Sequence, residues 1–176
     1  TARYGASSFS IGTLGYVGLG WDGSIYNTNF WQYDPGNNTW TQKASFAGTG
    51  RHGASSFSIG SKGYVGTGLN GSTRFTDFYE YDPANNSWTQ KANFPGTGRY
   101  DGTGISIGNK GYIGTGTWGP SGPMYNDFYE YNPSNDTWVQ KTSFPGAIRN
   151  GCRGFTIGNY GYVGLGSDVN LSLCYA

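Results

Sequence analysis

The sequence predicts an all-β repeat protein in which each unit is a small antiparallel sheet of four short strands. Three observations predict it. First, an arginine opens the same phrase at Arg3, Arg51, Arg99 and Arg149, at intervals of 48, 48 and 50 residues, and a fixed period near fifty residues is the mark of a repeat architecture. Second, no stretch holds an apolar period of 3.6 residues, so no helix is expected. Third, each unit contains four short segments rich in β-branched and aromatic residues, bounded by Gly, Pro, Asn or Ser. Four short antiparallel strands on a repeat of this length form a propeller blade.

Residues 3–50, 51–98 and 99–148 are three complete units, and 149–176 is a partial fourth within one repeat region, 1–176. In the second unit the strands are expected at Ala54–Ile59, Gly63–Gly68, Asp77–Asp82 and Ser87–Ala92. Ser58-Ile59-Gly60-Ser61-Lys62-Gly63 makes the first tight turn and Asp82-Pro83-Ala84-Asn85-Asn86 the second, because Pro presets φ and Asn tolerates left-handed geometry. Tyr64, Phe78, Tyr81 and Trp88 are the large residues that would pack between blades. Aromatics make up 18% of the chain against 12% for charged residues, so the core should be aromatic and the surface mostly neutral and polar. The 32 glycines suit sharp turns and strands crowded near an axis.

The fourth unit opens in register with Arg149, Phe155, Ile157, Tyr162 and Val163, then changes after Gly166 to Ser-Asp-Val-Asn-Leu-Ser-Leu-Cys-Tyr-Ala. Leu171–Tyr175 is the candidate third strand, and the fourth is missing. Three and a half blades leave raw sheet faces and unpaired edges, which invite association. Two copies would sum to seven blades as a homodimeric ring; the alternative is a piece of a larger propeller. Thr1-Ala2-Arg3 matches Thr49-Gly50-Arg51, so the chain starts inside the pattern. It shows no initiator Met, signal peptide or hydrophobic span.

A Tyr-led strand ending in glycines (Tyr16, Tyr64, Tyr112, Tyr162) is followed by Tyr-Asp/Asn-Pro, with a Trp seven residues after that Tyr: Tyr33 and Trp40, Tyr81 and Trp88, Tyr131 and Trp138. This pattern, which runs through nearly the whole chain, resembles the kelch repeat. One departure is visible. Kelch units typically carry a double glycine where this chain has Gly-x-Gly, at Gly18 and Gly20, Gly66 and Gly68, Gly114 and Gly116, and Gly164 and Gly166. The resemblance implies a kelch-type β-propeller that closes with more blades than these. The uniformity of the repeats is similar to that of secreted bacterial kelch proteins, which implies an extracellular or cell-surface location. Function does not follow from such a fold, which hosts many.

The net charge of +1 and the lack of a basic stripe argue against nucleic acid or an anionic membrane as partner. Cys152 and Cys174 fall on the first and the possible third strand of the fourth blade. Those strands are not neighbours, so two free, buried thiols are expected rather than a disulfide.

Strand direction places the loops between strands two and three on the same face as the links between blades. These loops vary: Trp-Asp-Gly-Ser-Ile-Tyr-Asn-Thr-Asn, Leu-Asn-Gly-Ser-Thr-Arg-Phe-Thr and Thr-Trp-Gly-Pro-Ser-Gly-Pro-Met-Tyr-Asn. Variable loops on a repeated scaffold are where binding residues gather. On that face Arg3, Arg51, Arg99 and Arg149 would ring a central mouth and grip carboxylates or sugar hydroxyls; alternatively each bonds carbonyls of the preceding blade. They are followed by Tyr4, His52, Tyr100 and Asn150. Trp21, Tyr26, Phe75, Trp118 and Tyr125, with Arg74 beside Phe75, are the loop candidates for stacking on sugar rings or peptide side chains. Asp77 and Asp127, matched by Asn29, are expected to cap loop backbone rather than bind calcium. Glu80 and Glu130 align with Gln32, a position that needs polarity rather than acid. The sequons at Asn37, Asn85 and Asn135 coincide with the turn and are explained by it; two more begin at Asn70 and Asn170.

Kelch-like enzymes, such as the copper oxidase resembling galactose oxidase and the sialic-acid mutarotases, pose the catalytic alternative. Copper needs convergent imidazole and thiolate or phenolate ligands, whereas His52 is the sole histidine. Ser-His-Asp chemistry would rest on that same residue. Asp22, Asp101 and Asp168 are the nonrepeating acids near the loop face, thin support for a carboxylate pair. The expected function is therefore a noncatalytic binding module for a carbohydrate or protein ligand, without a cofactor. A mutarotase-like enzyme and a structural spacer in a larger surface protein are the alternatives.

Overall fold

The structure, a computed structural model, describes residues 2–168. Blade one comprises β1 (Ser7–Ile11), β2 (Leu14–Gly18), β3 (Phe30–Asp34) and β4 (Thr39–Lys43). Blade two comprises β5 (Ser55–Ile59), β6 (Lys62–Gly66), β9 (Phe78–Asp82) and β10 (Ser87–Lys91), with a two-residue ribbon, β7 (Leu69–Asn70) and β8 (Thr73–Arg74), between its second and third long strands. Blade three comprises β11 (Thr103–Ile107), β12 (Lys110–Gly114), β13 (Phe128–Asn132) and β14 (Thr137–Lys141), and blade four β15 (Arg153–Ile157) and β16 (Tyr160–Gly164). Each full blade is an antiparallel meander in sequence order. The expected third strand at Leu171–Tyr175, and Cys174, lie outside the described residues. Cys152 is buried, its Sγ 3.4 Å from the Leu165 carbonyl.

Strand ends differ from expectation for local reasons. The second strand stops at Gly66, two residues short of Gly68, because Thr67 turns into the left-handed region at φ 61°. Leu19, Thr115 and Leu165 do the same, at φ 60°, 57° and 62°. The fourth strand ends at Lys91 because the Ala92 N–H leaves the sheet and donates to Asp136 Oδ1 of the next blade, at 2.9 Å.

The Gly-x-Gly signature acquires a mechanism. A Cβ on Gly18 or Gly66 would stand 2.7 or 2.6 Å from the ring of Phe30 or Phe78, so the first glycine lets the third strand's Phe lie against the backbone. The second glycine has φ of 90°, 100° and 96° at Gly20, Gly68 and Gly116. Each donates its N–H to the carbonyl of the next blade's arginine, at 2.8, 2.7 and 2.8 Å.

Blades pack through one aromatic lock, used twice. Tyr81 and Trp88 of blade two sit on Tyr16, Phe30 and Phe46 of blade one, with Phe30 5.0 Å edge-on from both. Tyr131 and Trp138 of blade three repeat this on Tyr64, Phe78 and Phe94 of blade two, with Phe78 at 4.8 and 4.9 Å. Edge-to-face pairs at such distances add about 0.5–1.5 kcal/mol each beyond burial. Each indole also donates to a carbonyl of the preceding blade, Trp88 Nε1 to Ala44 (3.1 Å) and Trp138 Nε1 to Ala92 (2.9 Å). The position shared by Gln32, Glu80 and Glu130 serves the second-strand tyrosine: Tyr64 and Tyr112 donate to Glu80 (2.8 Å) and Glu130 (2.9 Å), while Gln32 donates to Tyr16. Burial and the adjacent carboxylate push the Tyr112 hydroxyl up to about 12 and Tyr64 further, so both stay protonated donors.

Candidate ligand-binding face

The four recurring arginines sit at the loop face but point inward. Arg51 and Arg99 are 0% exposed and Arg149 is buried. Arg51 donates from Nε to Thr49 O (2.9 Å), from Nη1 to Thr67 O (2.9 Å), and bidentately to Asp77, with Nη2–Oδ2 at 2.8 Å. Arg99 repeats the set with Thr97 O, Thr115 O and Asp127. Arg149 bonds Ala147 O and Leu165 O; half-buried Arg3 bonds Leu19 O and Asn29 Oδ1. The side chain thus pins the carbonyl of each left-handed residue after the second strand. This corrects one expectation: the arginines do not ring a mouth with open donors. The alternative, that each bonds carbonyls of the preceding unit, holds in part, since the Thr49, Thr97 and Ala147 carbonyls close the preceding units while the Thr67, Thr115 and Leu165 carbonyls lie in the arginine's own. Asp77 and Asp127 are likewise not loop caps in the first place; they neutralise buried guanidinium groups, which must be paired to be tolerated.

Two of the loop aromatics share that fate. Half-buried Phe75 lies 3.8 Å from the Arg51 guanidinium carbon and half-buried Tyr125 4.0 Å from that of Arg99. Stacked on structural arginines, they are not open platforms.

The remaining candidates converge with residues that the sequence reading left aside. Trp21 bonds Tyr4 through its backbone in both directions, at 3.0 and 3.1 Å. Its ring meets Tyr4 edge-on at 5.3 Å and stacks on Tyr26 at 6.0 Å. Tyr26 stacks on His52 at 5.6 Å, and His52 in turn contacts Tyr4 (5.3 Å) and Tyr100 (5.5 Å). Five rings from three blades therefore touch in sequence, with buried His52 at the centre and Tyr4 exposed. Trp118, 44% exposed, carries Arg74 over its ring at 4.0 Å, and Arg74 Nε donates to the Trp118 carbonyl at 2.5 Å.

Below this rim the backbone forms a belt. Gly53 N–H donates to Gly5 O, Asp101 N–H to Gly53 O, and Gly151 N–H to Asp101 O, at 2.8, 2.8 and 2.9 Å. All four residues have positive φ, 54° at Asp101 and 63–65° at the glycines. Asp101 stands where the other blades have glycine, and its side chain reaches toward Gly53. Burial raises its carboxyl above the ordinary range, against the opposing pull of His52 and Arg153. Burial lowers His52, against the opposing pull of Asp101. Under the belt, the innermost strands enclose a cavity of about 400 Å³ lined by residues 6–8, 54–56, 102–104 and 152–154, mostly Ser, Thr, Gly and Ala.

Tyr4, His52, Tyr100 and Asp101, named from the sequence but not placed in the binding site there, carried only a faint signal: variation directly after a constant arginine, and one aspartate in a column of glycines.

No protein-family model matches the chain, and no curated protein matches it in sequence. Among solved structures, that of YjhT superposes with a TM-score of 0.82 at 19% identity. The chain is an arc of a β-propeller. The superposition covers 95% of this arc and 58% of the YjhT chain, so the arc spans well under two thirds of that neighbour. At this identity the likeness is one of fold.

Proposed function

We propose that this kelch-type arc is a noncatalytic, extracellular carbohydrate-binding module whose site is the aromatic rim of Tyr4, Trp21, Tyr26, His52 and Tyr100, with Trp118, one face covered by Arg74 and the residue 44% exposed, at its outskirts. The single observation that carries the reading is the unbroken ring-to-ring contact of those five residues above a cavity of hydroxyls. Flat aromatic faces cover the C–H face of a sugar, while polar groups below satisfy its hydroxyls. The paired state of Arg51 and Arg99 weakens the competing case for an acidic peptide, since no open guanidinium pair remains there to grip it.

The test is titration with a panel of neutral oligosaccharides. Binding should be nearly independent of salt, and Trp21→Ala should weaken it at least tenfold. If no neutral sugar binds at millimolar concentration, the reading fails. Binding that falls with salt and with Arg74→Ala instead assigns the rim to a protein ligand.

One observation favours a second reading. His52 and Asp101 attract each other electrostatically while burial disfavours charge on both, an arrangement suited to sugar proton transfer of the mutarotase kind. It predicts accelerated anomer interconversion, followed by proton NMR, that Asp101→Asn abolishes.

A further inference from the structure

We propose that Asp101 is the specificity-determining residue of the rim: a carboxylate that accepts both hydroxyls of an adjacent pair on a neutral pyranose and turns anionic sugars away. The inference rests on the carbohydrate reading above and names the class of sugar within it. Asp101 stands where the repeat is broken, since the corresponding positions of the other blades are Gly5, Gly53 and Gly151. Its φ of 54° lies in the left-handed region that favours glycine. The belt itself needs no side chain there, because its links are made by backbone N–H and C=O groups.

The carboxylate gains no partner in return for that backbone. Every other acid of the three complete blades accepts a hydrogen bond from a buried guanidinium, a tyrosine hydroxyl or an N–H of its own turn. Asp101 has no hydrogen bond and no ion pair among the described residues. It is half-buried, and only the electrostatic pull of His52 and Arg153 offsets its desolvation. A carboxylate held in that state destabilises the fold unless something supplies donors. A strained, unbonded charge in a column of glycines breaks the local rules with no structural gain, which is how a residue kept for function behaves.

Its place selects the donor. Blades two and four flank it, through the bond of its N–H to Gly53 O and that of the Gly151 N–H to Asp101 O. Its Oδ1 lies 2.6 Å from where a Cβ on Gly53 would stand, so the glycine of blade two leaves the room that the carboxylate occupies. Tyr100, one residue earlier, carries a ring of the rim, and Gly102 and Thr103, directly after, line the cavity. The acceptor therefore stands between the stacking surface and the polar floor. A pyranose laid with its C–H face on the rim presents hydroxyls at its edge, and the two oxygens of a carboxylate accept one from each of two adjacent carbons. A uronic acid would bring a second carboxylate beside the first in a partly desolvated mouth, where like charges repel.

The experiment titrates the full chain at pH 7 with cellobiose, lactose and mannobiose, each beside the counterpart whose nonreducing sugar is a uronic acid, by ligand-observed NMR. At least one neutral disaccharide should bind, at least tenfold more tightly than its acidic counterpart. Asp101→Gly, which restores the residue of the other three blades, should raise the urea midpoint, weaken neutral binding at least tenfold and level the two classes. Asp101→Asn, which keeps the size and one acceptor oxygen, should also level them. Neutral binding that Trp21→Ala weakens but Asp101→Gly leaves unchanged overturns this assignment and spares the rim. Acidic counterparts that bind as well as the neutral sugars overturn it, as does a lower urea midpoint in Asp101→Gly, which would make Asp101 structural. No neutral binding at millimolar concentration overturns both the assignment and the rim.

Discussion

At the residue scale the arginine–aspartate pairs decide most. Arg51→Ala leaves Asp77 without its counter-ion and frees the Thr67 carbonyl at a backbone position that costs about 1–3 kcal/mol to hold. The expected destabilisation is about 3 kcal/mol, read as a lower urea midpoint. Asp77→Asn should cost less, about 1–2 kcal/mol, because blade one already works with Arg3 on Asn29. His52 sets a pH dependence. Its folded pKa lies below the unfolded value of about 6.5, so the unfolded chain binds the extra proton. Stability should fall as pH drops below about 6.5, and His52→Gln should remove that decline. Asp101 acts oppositely. Its raised pKa makes the folded state take up a proton before the unfolded one, so its contribution rises as pH falls toward 4.

At the element scale the strands were legible and their ends were not. Glycine, proline and asparagine punctuate every unit, so four strands per repeat could be placed from the sequence. Nothing in a β-branched Thr announces that Thr67 or Thr115 adopts positive φ; the arginine that imposes it lies 16 residues upstream. The Arg–Asp pair itself was readable in principle, because Asp77 and Asp127 follow Arg51 and Arg99 by 26 and 28 residues. The aromatic rim was not readable as a set: its rings come from three blades, and only the fold brings Tyr4, His52 and Tyr100 together. The interblade lock yields a controlled comparison. Trp138→Phe loses the bond to the Ala92 carbonyl and should cost about 1 kcal/mol. Trp40→Phe, on the open face of blade one with 56% of the residue exposed, should stay within about 0.5 kcal/mol.

At the scale of the whole molecule, stability follows neighbours. Blade two has a full blade on either side and holds buried Phe57, Tyr64, Phe78 and Tyr81; blade four exposes the equivalent Phe155 and Tyr162 at 58% and 46%. In such linear arrays stability is a sum over units and their interfaces. Hydrogen exchange should therefore open β15 and β16 first and β5 and β6 last, and uniform protection across the four blades would contradict that ordering.

The belt of Gly5, Gly53, Asp101 and Gly151 has a mechanical meaning. It crosses each blade boundary with a single N–H···O=C link, joined there by the glycine–arginine backbone bond and, between the full blades, by the indole bond, whereas the strands inside a blade are laced over four or five residue pairs. A tensile load applied between the two ends of the arc would act on those boundary links in series. Once a boundary yields, the blade behind it loses its packing and unravels, so extension proceeds in steps. A 48-residue unit releases about 160 Å of chain when it is drawn out. Single-molecule force spectroscopy should record a sawtooth with that spacing, the mouth of the propeller coming apart one blade at a time.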